Sequence, residues 1–287
     1  VATVRGGTVS VVASATGSGK TLLLPANLAE ATDDTVVVLV PRRFLAVNAA
    51  ETVAELAGVE VGREVGYAVG AQSGEKSVRS AATKVLYCTY GYAIASDLIL
   101  SARTIVFDEV HEASLDMSIC RALAYRRLQQ GERFNVLEMS ATINAEAQAA
   151  YWGQVASAQV FEIDGQTFPC ERRHRPAQSP CAAALELLRE GRTGVLVFRP
   201  GVGEVQETAA AIRRQVGDEV EVAEIYGELD YAARRAAVAA PKNGKAKVLV
   251  GTNVVESGAN IPWLDAGVSC GTGKELSVRA GSGATFL

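Results

Sequence analysis

The run Thr35 to Val40 reads TVVVLV, and apolar runs of the same kind recur at 8–13, 84–88, 104–107, 135–139, 195–198 and 247–250. A strand with one wet face alternates apolar and polar residues, whereas a strand covered on both faces has no need to. Between the runs lie alanine-rich stretches with helical spacing, as at 43–57, 118–130, 203–216 and 231–239. Apolar strands joined by such helices predict an α/β fold of parallel sheets with helices on both faces.

At 287 residues the chain is long for one such domain and suited to two. The stretch GQTFPCERRHRPAQSP (165–180) has little periodicity and three prolines, so the expected domains are 1–170 and 171–287. TKVLYCTYG (83–91) parallels AKVLVGTNV (246–254), and TVSVVASATGSG (8–19) parallels TGVLVFRPGVGE (193–204). Two related domains would produce such pairs, although valine strands also resemble one another by chance.

Composition removes several classes. No apolar stretch approaches the roughly 18–20 residues of a membrane span. The net charge of −4 argues against a protein that coats nucleic acid by bulk basicity, while leaving room for local arginines on a phosphate backbone. Cys88, Cys120, Cys170, Cys181 and Cys270 form no CxxC pair, and neither His111 nor His174 stands near a metal-ligand spacing. Reduced thiols, a cytoplasmic location and no secretion are expected. The chain begins at Val1 and reaches a strand almost at once, which reads as a fragment of a longer protein.

SATGSGKT (14–21) follows a strand and precedes a helical pattern, the setting of a P-loop. Backbone N–H groups of Thr16, Gly17, Ser18 and Gly19 at a helix start would cradle phosphate oxygens. Lys20 would reach the β/γ-phosphates and Thr21 would offer its hydroxyl to Mg²⁺. Ser14 replaces the usual first glycine. A flexible Gly/Ser turn is the plainer reading, but it does not explain the lysine and threonine at this spacing.

FDEVHEAS (107–114) places Asp108 and Glu109 directly after an apolar run, where desolvated acids are costly unless a positive charge meets them. Mg²⁺ arriving with ATP is that charge: Asp108 would hold the metal, and Glu109, beside it, would polarise the attacking water. His111 would sense the γ-phosphate, although alone it reads as a surface histidine. Ser140 and Thr142 of MSAT (139–142) follow the next run and gain meaning only from that order.

With these words in this order the sequence resembles the superfamily 2 helicases of the DEAH/DExH-box group. ATGSGKT looks like motif I, VPRR (40–43) like motif Ia, TYG (89–91) like motif Ib, DEVH like motif II and SAT like motif III. VLVFRPGVGEV (195–205) looks like motif IV and VGTNVVESGANIP (250–262) like motif V; VGYAV (65–69) and IYGELD (225–230) also have counterparts. The resemblance implies two tandem RecA-like domains, ATP and Mg²⁺ between them, and single-stranded RNA or DNA running across both. Arg42, Arg43, Thr89, Tyr90, Gly91, Arg199, Gly201, Thr252 and Asn253 would line the strand. Each arginine alone reads as a solvated charge, Tyr90 either stacks on a base or simply packs, and the ERRHR cluster (171–175) reads as solvated.

Motif VI is where the match weakens. Its only candidate is VRAGSGATFL (278–287), in which Arg279 and Gly281 fit, Val278 replaces glutamine and Ser282 stands at the arginine-finger position. Loss of such a finger costs about 10³–10⁵ in rate. Missing residues near 277–283, a truncated core or a genuine departure all account for it.

The expected function is an ATP-dependent nucleic-acid helicase or translocase, an NTP hydrolase compatible with a monomer, with Lys20, Glu109, His111 and Arg279 in catalysis. A nucleic-acid-stimulated ATPase that remodels complexes without unwinding, and a slowly hydrolysing ATP-gated clamp, are the alternatives. A P-loop kinase is disfavoured because the second half has no Walker lysine and no visible acceptor site.

Overall fold

The computed structural model describes residues 7–14, 18–70, 77–112, 114–140, 144–163, 170–241, 244–255, 261–272, 277–278 and 285–286. The chain divides into two compact units, Val1–Cys170 and Glu171–Leu287.

The first unit runs β1 (Thr8–Ser14), α1 (Lys20–Ala31), β2 (Val36–Val40), α2 (Arg43–Ala57), β3 (Val65–Ala68), β4 (Val85–Thr89), α3 (Tyr90–Ala95), α4 (Leu98–Ser101), β5 (Thr104–Phe107), α5 (Leu115–Gln129), β6 (Asn135–Ser140), α6 (Ala145–Trp152) and β7 (Ser157–Ile163). Its strands form one sheet in the order β3-β4-β2-β5-β6-β1-β7, with every pairing parallel. Consecutive β2 residues go to opposite cores: Val37 and Leu39 join the cluster around Phe107 and Trp152, while Val36, Val38 and Val40 join the one around Leu45 and Tyr87. Two buried faces explain why the run never alternates.

Helix α1 contains Pro25, which has no N–H for the carbonyl of Thr21 four residues back. The Tyr87 hydroxyl donates to that carbonyl at 2.8 Å and so satisfies what the proline leaves open.

The second unit runs α7 (Pro180–Arg189), β8 (Gly194–Phe198), α8 (Val202–Val216), β9 (Val220–Ile225), α9 (Tyr231–Val238), β10 (Ala246–Gly251), β11 (Ala266–Ser269), β12 (Ser277–Val278) and β13 (Thr285–Phe286). Strands β11-β8-β10-β9 form a second parallel sheet, again with residues of one strand divided between two cores: Val248 and Val250 on one face, Leu249 on the other. Lys247 of β10 is buried without being stranded: its ammonium meets Glu221 at 2.6 Å and the carbonyl of Ala239 at 2.8 Å, tying the end of α9 to the sheet. Among the described residues, no helix is long and apolar enough to cross a membrane. Each unit is thus built on a parallel α/β sheet, as expected of a RecA-like domain, and β12 and β13 form a separate two-stranded antiparallel sheet.

The sequence pattern marks no strand at β3, β7, β9, β11, β12 or β13. All six lie at sheet edges. Strand β7 is exposed along most of its length, while β3 is only four residues long and carries a glycine, so its buried run is too short to stand out.

Candidate functional site

In open parallel sheets, loops at the carboxyl ends of the strands gather in one crevice. Ser14 closes β1, Ser140 closes β6, Asp108 follows β5, Arg42 and Arg43 follow β2, and Thr89 closes β4. These strands are neighbours in the sheet, so words far apart in sequence line one edge.

The Thr21 hydroxyl donates to Asp108 Oδ2 at 2.7 Å, and the backbone N–H of Glu109 donates to Asp108 Oδ1 at 2.9 Å. Asp108 is fully buried and Glu109 nearly so. Burial above all, then the neighbouring Glu109 carboxylate, pushes the Asp108 carboxyl up to about 7, against the pull of Thr21, Lys20 and the Glu109 N–H. Two crowded acids short of positive charge, beside a hydroxyl, fit a hard cation such as Mg²⁺. Among the described residues no group of three or more His, Cys, Asp or Glu side chains forms a metal cage, so such an ion would need further oxygen ligands of the kind a phosphate supplies.

Gly19 caps α1 with φ +77°, a left-handed conformation suited to glycine, and Ser14 and Ser18 share a hydroxyl hydrogen bond of 2.7 Å across the loop. Lys20 is buried at the head of that helix, and among the described residues no hydrogen bond or ion pair reaches its ammonium. A buried cation at a helix N-terminus fits an anionic group.

Glu109 has φ +53°, an uncommon state for a residue with a side chain. That turn lets the N–H of Glu112 return to the Glu109 carbonyl at 2.9 Å. His111 Nδ1 lies 3.3 Å from Glu109 Oε2 and 2.9 Å from Ser140 Oγ, so β5 and β6 are linked through this side chain.

Arg42 caps the start of α2 and pairs with Glu112, with Nη2 3.1 Å and Nε 3.2 Å from Oε2. Arg43 lies against Gly70: a Cβ there would stand 3.1 Å from its guanidinium. Thr89 caps α3 by accepting from the N–H of Tyr92, and Gly91 lies under the Asp116 carboxylate. Tyr90 requires a correction. Its ring is buried against Phe107, with centroids 6.3 Å apart, and its hydroxyl donates to the Asp108 carbonyl at 2.7 Å. A ring so enclosed supports the Asp108 backbone and has no face for a base.

In the second unit Arg199 and Gly201 follow β8, while Thr252 and Asn253 follow the adjacent β10. The Arg199 N–H donates to the Gly251 carbonyl at 2.8 Å, its Nε is buried without a hydrogen-bond partner among the described residues, and Gly201 caps α8. Thr16, Gly17, Thr142 and Arg279 lie outside the described residues. Tyr87 and Glu112 hold the site together yet were not singled out in the sequence; a tyrosine within a buried run, and an acid just after DEVH, were the available signals.

The sequence model of the DEAD/DEAH box helicases matches residues 1–150, and that of the helicase conserved C-terminal domain matches residues 180–278. The chain belongs to the DEAD/DEAH box helicase family. Its relatives assign it to the DEAH/DExH-box group of superfamily 2. It is 30% identical to the ATP-dependent RNA helicase HrpB of Escherichia coli, over 91% of this chain and 33% of that protein. To the ATP-dependent RNA helicase HrpA of the same organism it is 27% identical, over 94% of this chain and 22% of that one. A crystal structure described as the E. coli DEAH/RHA helicase HrpB superposes with a TM-score of 0.80 at 29% identity, covering 96% of this chain and 36% of that chain. The chain therefore spans about a third of HrpB and about a fifth of HrpA.

Proposed function

We propose that this DEAH-box chain acts as an ATP-dependent RNA helicase or translocase, with 1–170 as its ATP-binding domain and 171–287 as its second helicase domain. The observation that carries the reading is the Thr21–Asp108 hydrogen bond, supported by the Glu109–His111–Ser140 contacts on the same edge. RNA is preferred to DNA because the relatives' names specify it. The reading is of a protein working in the cytoplasm or wherever nucleic acid is processed inside the cell, and it is compatible with a monomer.

Lys20 and the N–H groups at the start of α1 bind the β/γ-phosphates. Thr21, Asp108 and Glu109 would hold Mg²⁺, which when bound neutralises phosphate charge. Glu109 orients the attacking water and accepts its proton at the carboxylate, while His111, braced by Ser140, fixes that carboxylate. Thr16, Gly17 and Thr142 complete the nucleotide contacts, and Arg279 meets the γ-phosphate. Arg42, Arg43, Thr89, Gly91, Arg199, Gly201, Thr252 and Asn253 contact a single strand through its phosphates and sugars. Movement requires that ATP favour one arrangement of the domains over another.

The test is ATP hydrolysis with and without single-stranded RNA or DNA, beside strand displacement from a tailed duplex, with Glu109→Gln as control. Stimulation by RNA, displacement, and loss of both in the variant support a helicase. Stimulation without displacement leaves a remodelling ATPase. ATP binding that no strand accelerates would overturn the motor reading in favour of a clamp.

A further inference from the structure

The strand order divides the edge of the first unit into two groups. The ends of β1, β6 and β5 carry the residues proposed for ATP, and those of β2 and β4 carry residues proposed for the strand; β5 and β2 are neighbours, Leu39 opposite Phe107. The Arg42–Glu112 pair bridges that border. Glu112 belongs to the tight turn begun by Glu109, and Arg42 opens α2 on the other side.

We propose that Glu112 is an internal competitor for the phosphate that Arg42 would grip. It holds the guanidinium when no strand is bound and releases it when a backbone phosphate arrives, so that the pair sets strand affinity and carries strand occupancy into the Glu109 turn. This rests on the reading of Arg42 as a strand contact. Both partners are part-exposed, with side-chain accessibilities of 27% and 21%, so a polymer phosphate can reach the guanidinium without unfolding anything. Arginine's planar fork matches carboxylate and phosphate alike, which makes the exchange a substitution of one oxyanion for another. Carboxylate and phosphate compete for one fork of donors, so the occupant of lower net cost decides. A part-exposed pair contributes little, which keeps the exchange reversible.

The experiment measures binding of a fluorescent oligouridylate to the whole chain across a salt series, for wild type, Glu112→Gln, Arg42→Gln and the double variant, with Glu112→Ala as a second removal. Glu112→Gln should tighten binding about two- to fivefold and lower by a similar factor the RNA concentration that half-stimulates ATP hydrolysis. Arg42→Gln should weaken binding and flatten the log–log salt slope by roughly 0.7, the value of one single-strand contact. In the double variant the gain from removing Glu112 should vanish, because the two residues act on one interaction.

If Arg42→Gln weakens binding while both Glu112 variants leave it unchanged, the competition is overturned and the strand reading of Arg42 survives. A gain that persists without Arg42 overturns it too, since removing any acid near a polyanion would then suffice. If Arg42→Gln changes neither affinity nor slope, the strand reading of Arg42 itself fails.

Discussion

The Thr21 hydroxyl reaches Asp108 across 87 residues of sequence to make a 2.7 Å hydrogen bond, joining the head of α1 to the end of β5. It is the point at which two separately readable words become one site, and it leaves a buried carboxylate whose charge the protein alone offsets poorly.

Asp108→Asn should therefore abolish ATP hydrolysis while stabilising the nucleotide-free chain. The folded carboxyl sits at about 7 against 3.8 for the free side chain, so the native state holds its proton more tightly than the unfolded state. Stability from this group is complete below about pH 4 and is lost as pH rises through about 7, a loss on the order of a few kcal/mol. Asparagine keeps an oxygen for the Glu109 N–H, and the Thr21 hydroxyl can turn to accept from its amide. Urea unfolding should show the variant more stable at pH 8 and the two proteins converging toward pH 4.5; a gap independent of pH would refute the account.

Arg121 and Glu138 present the opposite case, a buried acid whose cation is built in. The Glu138 carboxyl is inaccessible, Arg121 Nε lies 2.6 Å from its Oε1, and the guanidinium lies over the rings of Tyr151 and Trp152 at 4.8 and 5.7 Å. Burial raises the Glu138 carboxyl and Arg121 pulls it back. Arg121→Met should cost about 3–5 kcal/mol at pH 8, where the stranded acid is ionised. Removing the arginine raises the folded pKa further, so the acid protonates readily and the penalty should shrink at pH 5. Equal penalties at the two pH values would show that packing on the aromatic rings, not charge, is what the arginine supplies. The double variant Arg121→Met/Glu138→Gln should recover much of the loss.

The central strands were legible because residues such as Val36 to Val40 are buried on both faces and need no polar partner. Strand β9, VEVAEI, was not, because at an edge it accommodates Glu221 and Glu224, paired with Lys247 and Arg213, and these acids blur the run. Lys20, Thr21, Asp108 and Glu109 were readable from local spacing, which survives in sequence. Contacts between distant segments leave no such trace: the pairing of Arg42 with Glu112 spans 70 positions. Tyr90 stays ambiguous in the sequence for the same reason, since a tyrosine after a strand end carries no mark of whether its ring faces a core or a groove.

Two glycines should respond unequally to alanine. At Gly194 a Cβ would run into the backbone carbonyl of Trp263, where β8 begins and Asp265 accepts from the Gly194 N–H at 3.2 Å. Backbone cannot step aside easily, so Gly194→Ala should cost about 2–3 kcal/mol or more. At Gly91 a Cβ would meet Asp116 Oδ2 at 2.8 Å, the end of an exposed side chain that can swing away. Alanine's better helix propensity offsets part of that, leaving a change under about 1 kcal/mol. Hydrogen exchange of the β8 amides and urea unfolding of both variants check the order; a Gly91 variant as damaged as the Gly194 one would contradict it.

The Tyr87 hydroxyl has a single evident task, to serve the Thr21 carbonyl that Pro25 leaves without a helical donor. Tyr87→Phe keeps the ring in its core and strips the donor, so a part-buried carbonyl loses its partner at about 0.5–1.5 kcal/mol. Because that carbonyl belongs to the residue whose hydroxyl meets Asp108, nucleotide affinity should fall as well. Pro25→Ala would give the helix its own N–H for Thr21, and in that background Tyr87→Phe should cost much less. The double-mutant cycle thus has a signed expectation: the coupling should make the pair milder than the sum. Additive costs would mean that Tyr87 acts through packing alone and that the proline's open carbonyl is met by water.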